Sequence, residues 1–109
     1  MNAFYKYPSQ KGLHTISPTL LWDYDLRDFD WIKCRAEVVK RVIMMGRLAD
    51  FFGAFDMYGG IDGVRKIARD EVDELSDRNL DFMCQVFNLE KEQTLCYEKR
   101  LSRARLLNS

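Results

Sequence analysis

The stretch W-I-K-C-R-A-E-V-V-K-R-V-I-M-M-G-R-L-A-D-F-F-G-A-F-D-M-Y, residues 31–58, decides the fold. Trp31, Cys34, Val38, Val42 and Met45 recur at helical spacing, and Ile32, Val39 and Ile43 widen that apolar face. Lys33, Glu37, Lys40 and Arg41 mark the wet side. With Asp30 as an N-cap and Gly46 suited to a left-handed closing residue, the spacing predicts a helix over 31–45. A second helix is expected over 48–58, where Leu48, Phe51, Phe52, Phe55 and Tyr58 form an aromatic stripe. Each large ring contributes roughly 1.5–3 kcal/mol when buried, which places this stripe at the centre of the core. Gly53 within it costs about 1 kcal/mol against Ala and points to a close helix crossing.

Toward the C-terminus, Gly59-Gly60 breaks the chain before a third helix over 61–69. Its Ile61, Val64, Ile67 and Ala68 face inward, and Asp62, Arg65, Lys66 and Arg69 face water. An acidic linker, Asp70 to Leu75, leads to Ser76, which caps a fourth helix over 77–87 with Leu80, Met83, Cys84 and Phe87 inside. Residues 90–107 have helix propensity but little amphipathicity, and carry Lys99, Arg100, Arg103 and Arg105. A frayed or partner-dependent helix is expected there.

Toward the N-terminus, Leu20-Leu21-Trp22-Asp23-Tyr24-Asp25 and Asp28-Phe29-Asp30-Trp31 form an aromatic, acidic lead-in. Ser17-Pro18 reads as a helix start, with Ser as the cap and Pro at the first helical position. Trp22 and Trp31 are expected to anchor the first helix, and Arg41 to pair with Asp23 or Asp25 and fasten the lead-in to it. Residues 1–16 lack a period and read as a flexible arm, with Phe4, Tyr5 or Tyr7 tacked onto the body. The expected architecture is all-α: a compact bundle of four to five helices with a short ordered lead-in. Its parts are the arm at 1–16, a core at 17–89 and a C-terminal helix or tail at 90–109.

A chain of 109 residues is one domain with a single core, and 47% hydrophobic content excludes a disordered polymer. Seventeen basic and seventeen acidic residues cancel, so no global field draws the chain to nucleic acid or an anionic surface. No apolar run has membrane-span length, and Met1 to Lys6 lack the apolar core of a signal peptide. A cytoplasmic location is expected. Cys34, Cys84 and Cys96, odd in number and widely spaced, read as reduced thiols that pack as small hydrophobes.

Chemistry has few footholds. His14 is the single imidazole, no C-x-x-C pair occurs, and no nucleophile motif accompanies a base. The quartet Asp23, Asp25, Asp28 and Asp30 fails as a calcium loop, because Asp28 stands where Gly belongs and Cys34 where Glu belongs. Gly59, Gly60 and Gly63 match neither phosphate-loop spacing. No catalytic residue, metal ligand or cofactor is therefore expected, and the chain reads as a binding protein rather than an enzyme. The second and third helices also imitate a helix-turn-helix unit over about 48–69. Arg65, Lys66 and Arg69 would then face DNA, against the repulsion of Asp62, Asp70, Glu71, Asp73 and Glu74.

The ordered motifs S-P-T-L-L-W-D-Y-D, F-D-W, V-V-K-R-V-I-M-M-G, M-Y-G-G-I, R-K-I-A-R and L-S-D-R-N-L-D-F-M resemble an uncharacterised family of short bacterial helical domains. The resemblance spans about Leu20 to Leu89. It carries over Trp22, Asp23, Trp31, Arg41, Gly46, Tyr58, Gly59, Leu80 and Phe82, with Trp31 and Phe82 expected in the core. Met57, Met83 and Lys40 depart from the family's usual Tyr, Trp and Glu. Some members lie beside nucleotidyltransferase-like toxins of the abortive-infection type. The resemblance thus implies an antitoxin-like protein partner, with Trp22, Asp23, Asp25, Arg41 and Tyr58 as interaction or fastening residues.

Overall fold

The computed structural model describes residues 4–107. Residues 1–3 of the expected arm and 108–109 of the expected tail lie outside the described residues. Six α-helices follow in order: α1 (Tyr7–Gln10), α2 (Arg35–Met45), α3 (Leu48–Met57), α4 (Gly60–Asp70), α5 (Asp77–Phe87) and α6 (Leu95–Leu107). Short 3-10 turns occupy Pro18–Leu21 and Lys91–Gln93, and no strand occurs among the described residues. The all-α expectation holds.

The aromatic stripe of α3 is the centre of the core. Phe51, Phe52 and Phe55 are buried, and Phe55 meets Phe87 of α5 edge-on at 6.5 Å. Where the sequence set residues 1–16 apart as an arm, Phe4 is 2% exposed and Tyr7 and Ile16 are buried. The Phe4 ring packs edge-on against Phe55 at 4.8 Å and lies 5.4 Å from Phe87. Tyr7 donates its hydroxyl to Asp56 Oδ1 at 2.7 Å, and the Gly12 N–H reaches Asp56 Oδ2 at 2.8 Å. Burial first, then the Asp56 hydrogen bond, pushes the Tyr7 phenol up to about 12.

Gly53 admits a close approach, but not of a helix. A Cβ there would lie 2.7 Å from the Thr15 carbonyl carbon and the Ile16 nitrogen, so the segment before the lead-in crosses α3 at this point. The turn into α4 needs left-handed backbone at Gly59 (φ 89°) and Gly60 (φ 82°), where a side chain would be strained.

Several boundaries and faces differ from expectation. α2 begins at Arg35 instead of Trp31, because the Trp31 carbonyl accepts the Tyr58 hydroxyl at 2.8 Å and the Arg35 N–H turns to Ile32 O at 3.3 Å. Asp30 caps the preceding turn, its Oδ1 accepting the N–H groups of Ile32 and Lys33. Gly46 ends α2 in extended backbone (φ −75°, ψ 155°), since the chain turns straight into α3 without a left-handed step. Ser17 makes no side-chain cap, and its N–H instead enters α3's cap. By contrast, α5 starts and stops where predicted, with the Ser76 side chain accepting from the Asn79 N–H and Asn88 closing it at φ 52°.

Leu48, Met45, Ile32 and Phe82, all expected inside, are exposed. Met45 ends α2, Leu48 opens α3 and Ile32 lies in the turn before α2; Phe82, in the middle of α5, lays one side on Phe51 at 6.1 Å and leaves 39% of its surface in water. α6 forms a helix, buried at Cys96 and exposed at every residue from Leu101 to Leu107.

Candidate interaction surface at the lead-in

The lead-in is irregular backbone, so its order must come from outside itself. Two charged side chains supply it. Asp50, in the first turn of α3, is 3% exposed. Its Oδ1 accepts the Ser17 N–H at 2.7 Å and its Oδ2 accepts the Arg47 N–H at 2.8 Å. Burial alone would raise this carboxyl; the two N–H groups outweigh it and hold Asp50 below the ordinary carboxylate range. The same carboxylate thus caps α3 and pins the start of the lead-in. Sequence reasoning passed over it, although an acid at the third position of a helix is the pattern that signals a capping role.

Arg41 is the second device. Its side chain is 14% exposed and projects from α2 under the lead-in. Nη1 donates to the Leu20 carbonyl at 3.1 Å and to Asp23 Oδ1, and Nη2 donates to Asp23 Oδ2 at 2.9 Å. Nε donates to Glu37 Oε1 at 3.0 Å, and the guanidinium lies 5.1 Å from the centre of the Tyr24 ring. A planar fork with five donors suits this division between two carboxylates, a carbonyl and an aromatic face; a lysine could not reproduce it. The Arg41 hydrogen bonds hold the Asp23 carboxyl below its usual range.

Of the expected fastening residues, the structure brings together Arg41 and Asp23. Asp25 instead pairs with Arg27, at 2.9 Å on an exposed turn. Tyr58 is buried, with its hydroxyl on the Trp31 carbonyl, and burial pushes that phenol up to about 12. Trp31 is half-buried and meets Phe29 edge-on at 4.9 Å. Leu20 and Leu21, not Trp22, are the side chains that anchor the lead-in in the core. Trp22 is 80% exposed, because the adjoining 3-10 turn points both leucines inward and the next residue outward.

The residues read for DNA contact are placed differently. Arg65 donates Nε to the Phe87 carbonyl at 2.8 Å and Nη2 to the Asn88 carbonyl at 3.3 Å, closing the C-terminus of α5. Arg69 forks onto Asp70 at 2.8 and 2.9 Å, and Lys66 is exposed. His14 shares a hydrogen bond with Gln10 at 3.0 Å and lies beside Phe52. Among the described residues, no three His, Cys, Asp or Glu side chains gather as a metal site, and no helix is long and apolar enough to cross a membrane.

A braced surface aromatic on an all-helical domain defines a class of small helical protein without marking an activity. Residues 16–68, from the lead-in through most of α4, match the model of a family described as of unknown function, DUF6922. That span includes Trp22, Asp23, Arg41, Asp50 and Tyr58, and stops short of α5, which the motif resemblance had included. No curated protein and no solved structure matches the chain.

Proposed function

We propose that this chain is a cytoplasmic, non-enzymatic interaction module that docks a protein partner through the lead-in, in the manner of an antitoxin beside a co-encoded toxin. The observation that carries this reading is Trp22, a large ring 80% exposed between Leu20 and Asp23, both of which are hydrogen-bonded to Arg41. Exposed indole forgoes roughly 1.5–3 kcal/mol of burial, which a partner's pocket recovers. Arg41, fixing Leu20 O, Asp23 and Tyr24 around it, means that little ordering entropy is lost on binding. Trp is also among the residues most concentrated at the energetic centre of interfaces. DNA contact through α4 is the lesser reading, since Arg65 already gives its Nε and Nη2 to the Phe87 and Asn88 carbonyls and Arg69 is paired at the surface with Asp70.

The test is co-expression with the product of the neighbouring gene. The pair is expected to co-purify, and Trp22→Ala to reduce its affinity at least tenfold while the thermal midpoint of the free chain stays within a degree or two. Retention of the partner at full affinity by Trp22→Ala, or no partner retained by the unaltered chain, overturns the reading.

A further inference from the structure

The balance of seventeen basic and seventeen acidic residues conceals a division along the chain. Residues 1–98 hold all seventeen acids and thirteen of the bases, whereas residues 99–109 hold Lys99, Arg100, Arg103 and Arg105 and no acid. A basic end on an acidic body attracts a polyanion locally even though the whole molecule has no net field. This end belongs to α6. Arg100 is committed at its root, where it donates to the Leu75 carbonyl and to Asp77. Lys99, Arg103 and Arg105 are exposed and form no ion pair among the described residues. Arg105 stands in the last turn, where a cation offsets the helix dipole; Lys99 and Arg103 precede that turn, and the dipole does not account for them.

The three cations are not on one side. At about 100° per residue, Arg103 lies about 40° from Lys99 and one turn further on, and Arg105 lies about 160° from Arg103. Ser102, also exposed, falls between Lys99 and Arg105. The leucines are spread as well: Leu101, Leu106 and Leu107 stand about 100–140° apart, so α6 has no single apolar face for a membrane or an apolar protein groove. A flat acidic protein surface would meet one side of the helix and leave the other cation in water. A groove with anionic walls meets both sides at once.

We propose that the outer half of α6 enters the major groove of duplex DNA, with Lys99 and Arg103 toward the phosphates of one wall and Arg105 toward those of the other. That groove is about 12 Å wide and admits a helix, whose diameter with side chains is about 10–12 Å. Every residue from Leu101 to Leu107 is exposed, so about 9 Å of helix is presented to it. Ser102 adds a hydroxyl donor of the kind that meets phosphate oxygens. Glu98, and Glu74 beside the Leu75 carbonyl, lie at the root of α6 and repel phosphate, which confines the contact to the outer turns. Contacts of this kind position the protein on the duplex without reading its sequence. They use neither Arg65 nor Arg69, and they leave Trp22 clear for a protein partner.

Fluorescence polarisation of a labelled, mixed-sequence duplex of about 20 base pairs, titrated with the full chain, tests this. The expected dissociation constant is about 1–100 µM near 0.15 M salt, with a log–log salt slope of about −2.7 for three neutralised phosphates. Arg103→Glu/Arg105→Glu is expected to weaken binding at least about tenfold, and the neutral pair Arg103→Gln/Arg105→Gln to flatten the slope by about two units. Lys66→Glu on α4 is expected to leave the affinity within about twofold. Circular dichroism of each variant separates lost binding from lost folding. No binding by the unaltered chain, or binding that the folded Arg103/Arg105 variants leave unchanged, overturns the inference. So does a loss on Lys66→Glu as large as on the α6 pair. Equal affinity for a single strand of the same length removes the groove, for poly-glutamate removes the nucleic acid, and for phosphatidylserine vesicles makes α6 a membrane contact; each of these overturns it too.

Discussion

The two ends of the molecule reverse what their sequences suggest. Residues 4–31 have no sustained period and only short turns of helix, yet Phe4, Tyr7, Ile16, Leu20 and Leu21 are built into the core. Residues 95–107 form the longest helix among the described residues, yet each of its residues from Leu101 to Leu107 is exposed. Regularity and burial are thus separate properties. A helix satisfies its backbone internally and can stand alone at its margin, whereas irregular chain must have its N–H and C=O groups met by other elements. Here Asp50, Asp56 and Arg41 do that work, each reaching from a helix to a backbone group of the preceding segment.

The sharpest way to break this contrast is at the N-terminal end. Phe4→Ala is expected to destabilise the fold by about 3 kcal/mol, the range for emptying a buried ring site, as read by urea unfolding. A loss below about 0.5 kcal/mol would return residues 4–16 to the status of a loose arm. Asp50→Ala comes next, at about 2 kcal/mol, because it leaves the Arg47 and Ser17 N–H groups without their shared acceptor.

Asp50 also sets a pH signature. Its folded carboxyl lies below the ordinary aspartate value, so its contribution is fully present above that ordinary value and is lost as pH falls through the lower folded one. Unfolding curves from about pH 7 to about pH 2 should therefore fall less steeply at the acid end for Asp50→Asn than for the unaltered chain. Equal acid slopes would remove the carboxylate from the account. The smallest effect is expected at the other end. Ending the chain after Arg100 should change stability by less than about 0.5 kcal/mol, since every described residue beyond it is exposed.

Much of this was legible from the residues alone. The apolar period of 3.6 marked α2 to α5, and Ser76 with Asp77 located the start of α5 without error. The pairing of Arg41 with Asp23 could be anticipated because a charge at the edge of an apolar helix face needs a partner nearby. Asp25 was an equal candidate by sequence and was taken by Arg27 two residues away, a choice of local turn geometry that spacing does not encode. Trp22 and Trp31 looked alike as anchors, yet one is in water and the other half-buried.

What the chain by itself determined is which segments become helices, because that depends on neighbours three and four residues apart. Tertiary structure alone decided where α2 begins, since a tyrosine hydroxyl 27 residues away takes the carbonyl that would have extended it. It also decided which aromatic rings meet water. Burial depends on what packs opposite, and the partners of Phe4 and the absence of one over Trp22 lie at distances along the chain that no local pattern reports.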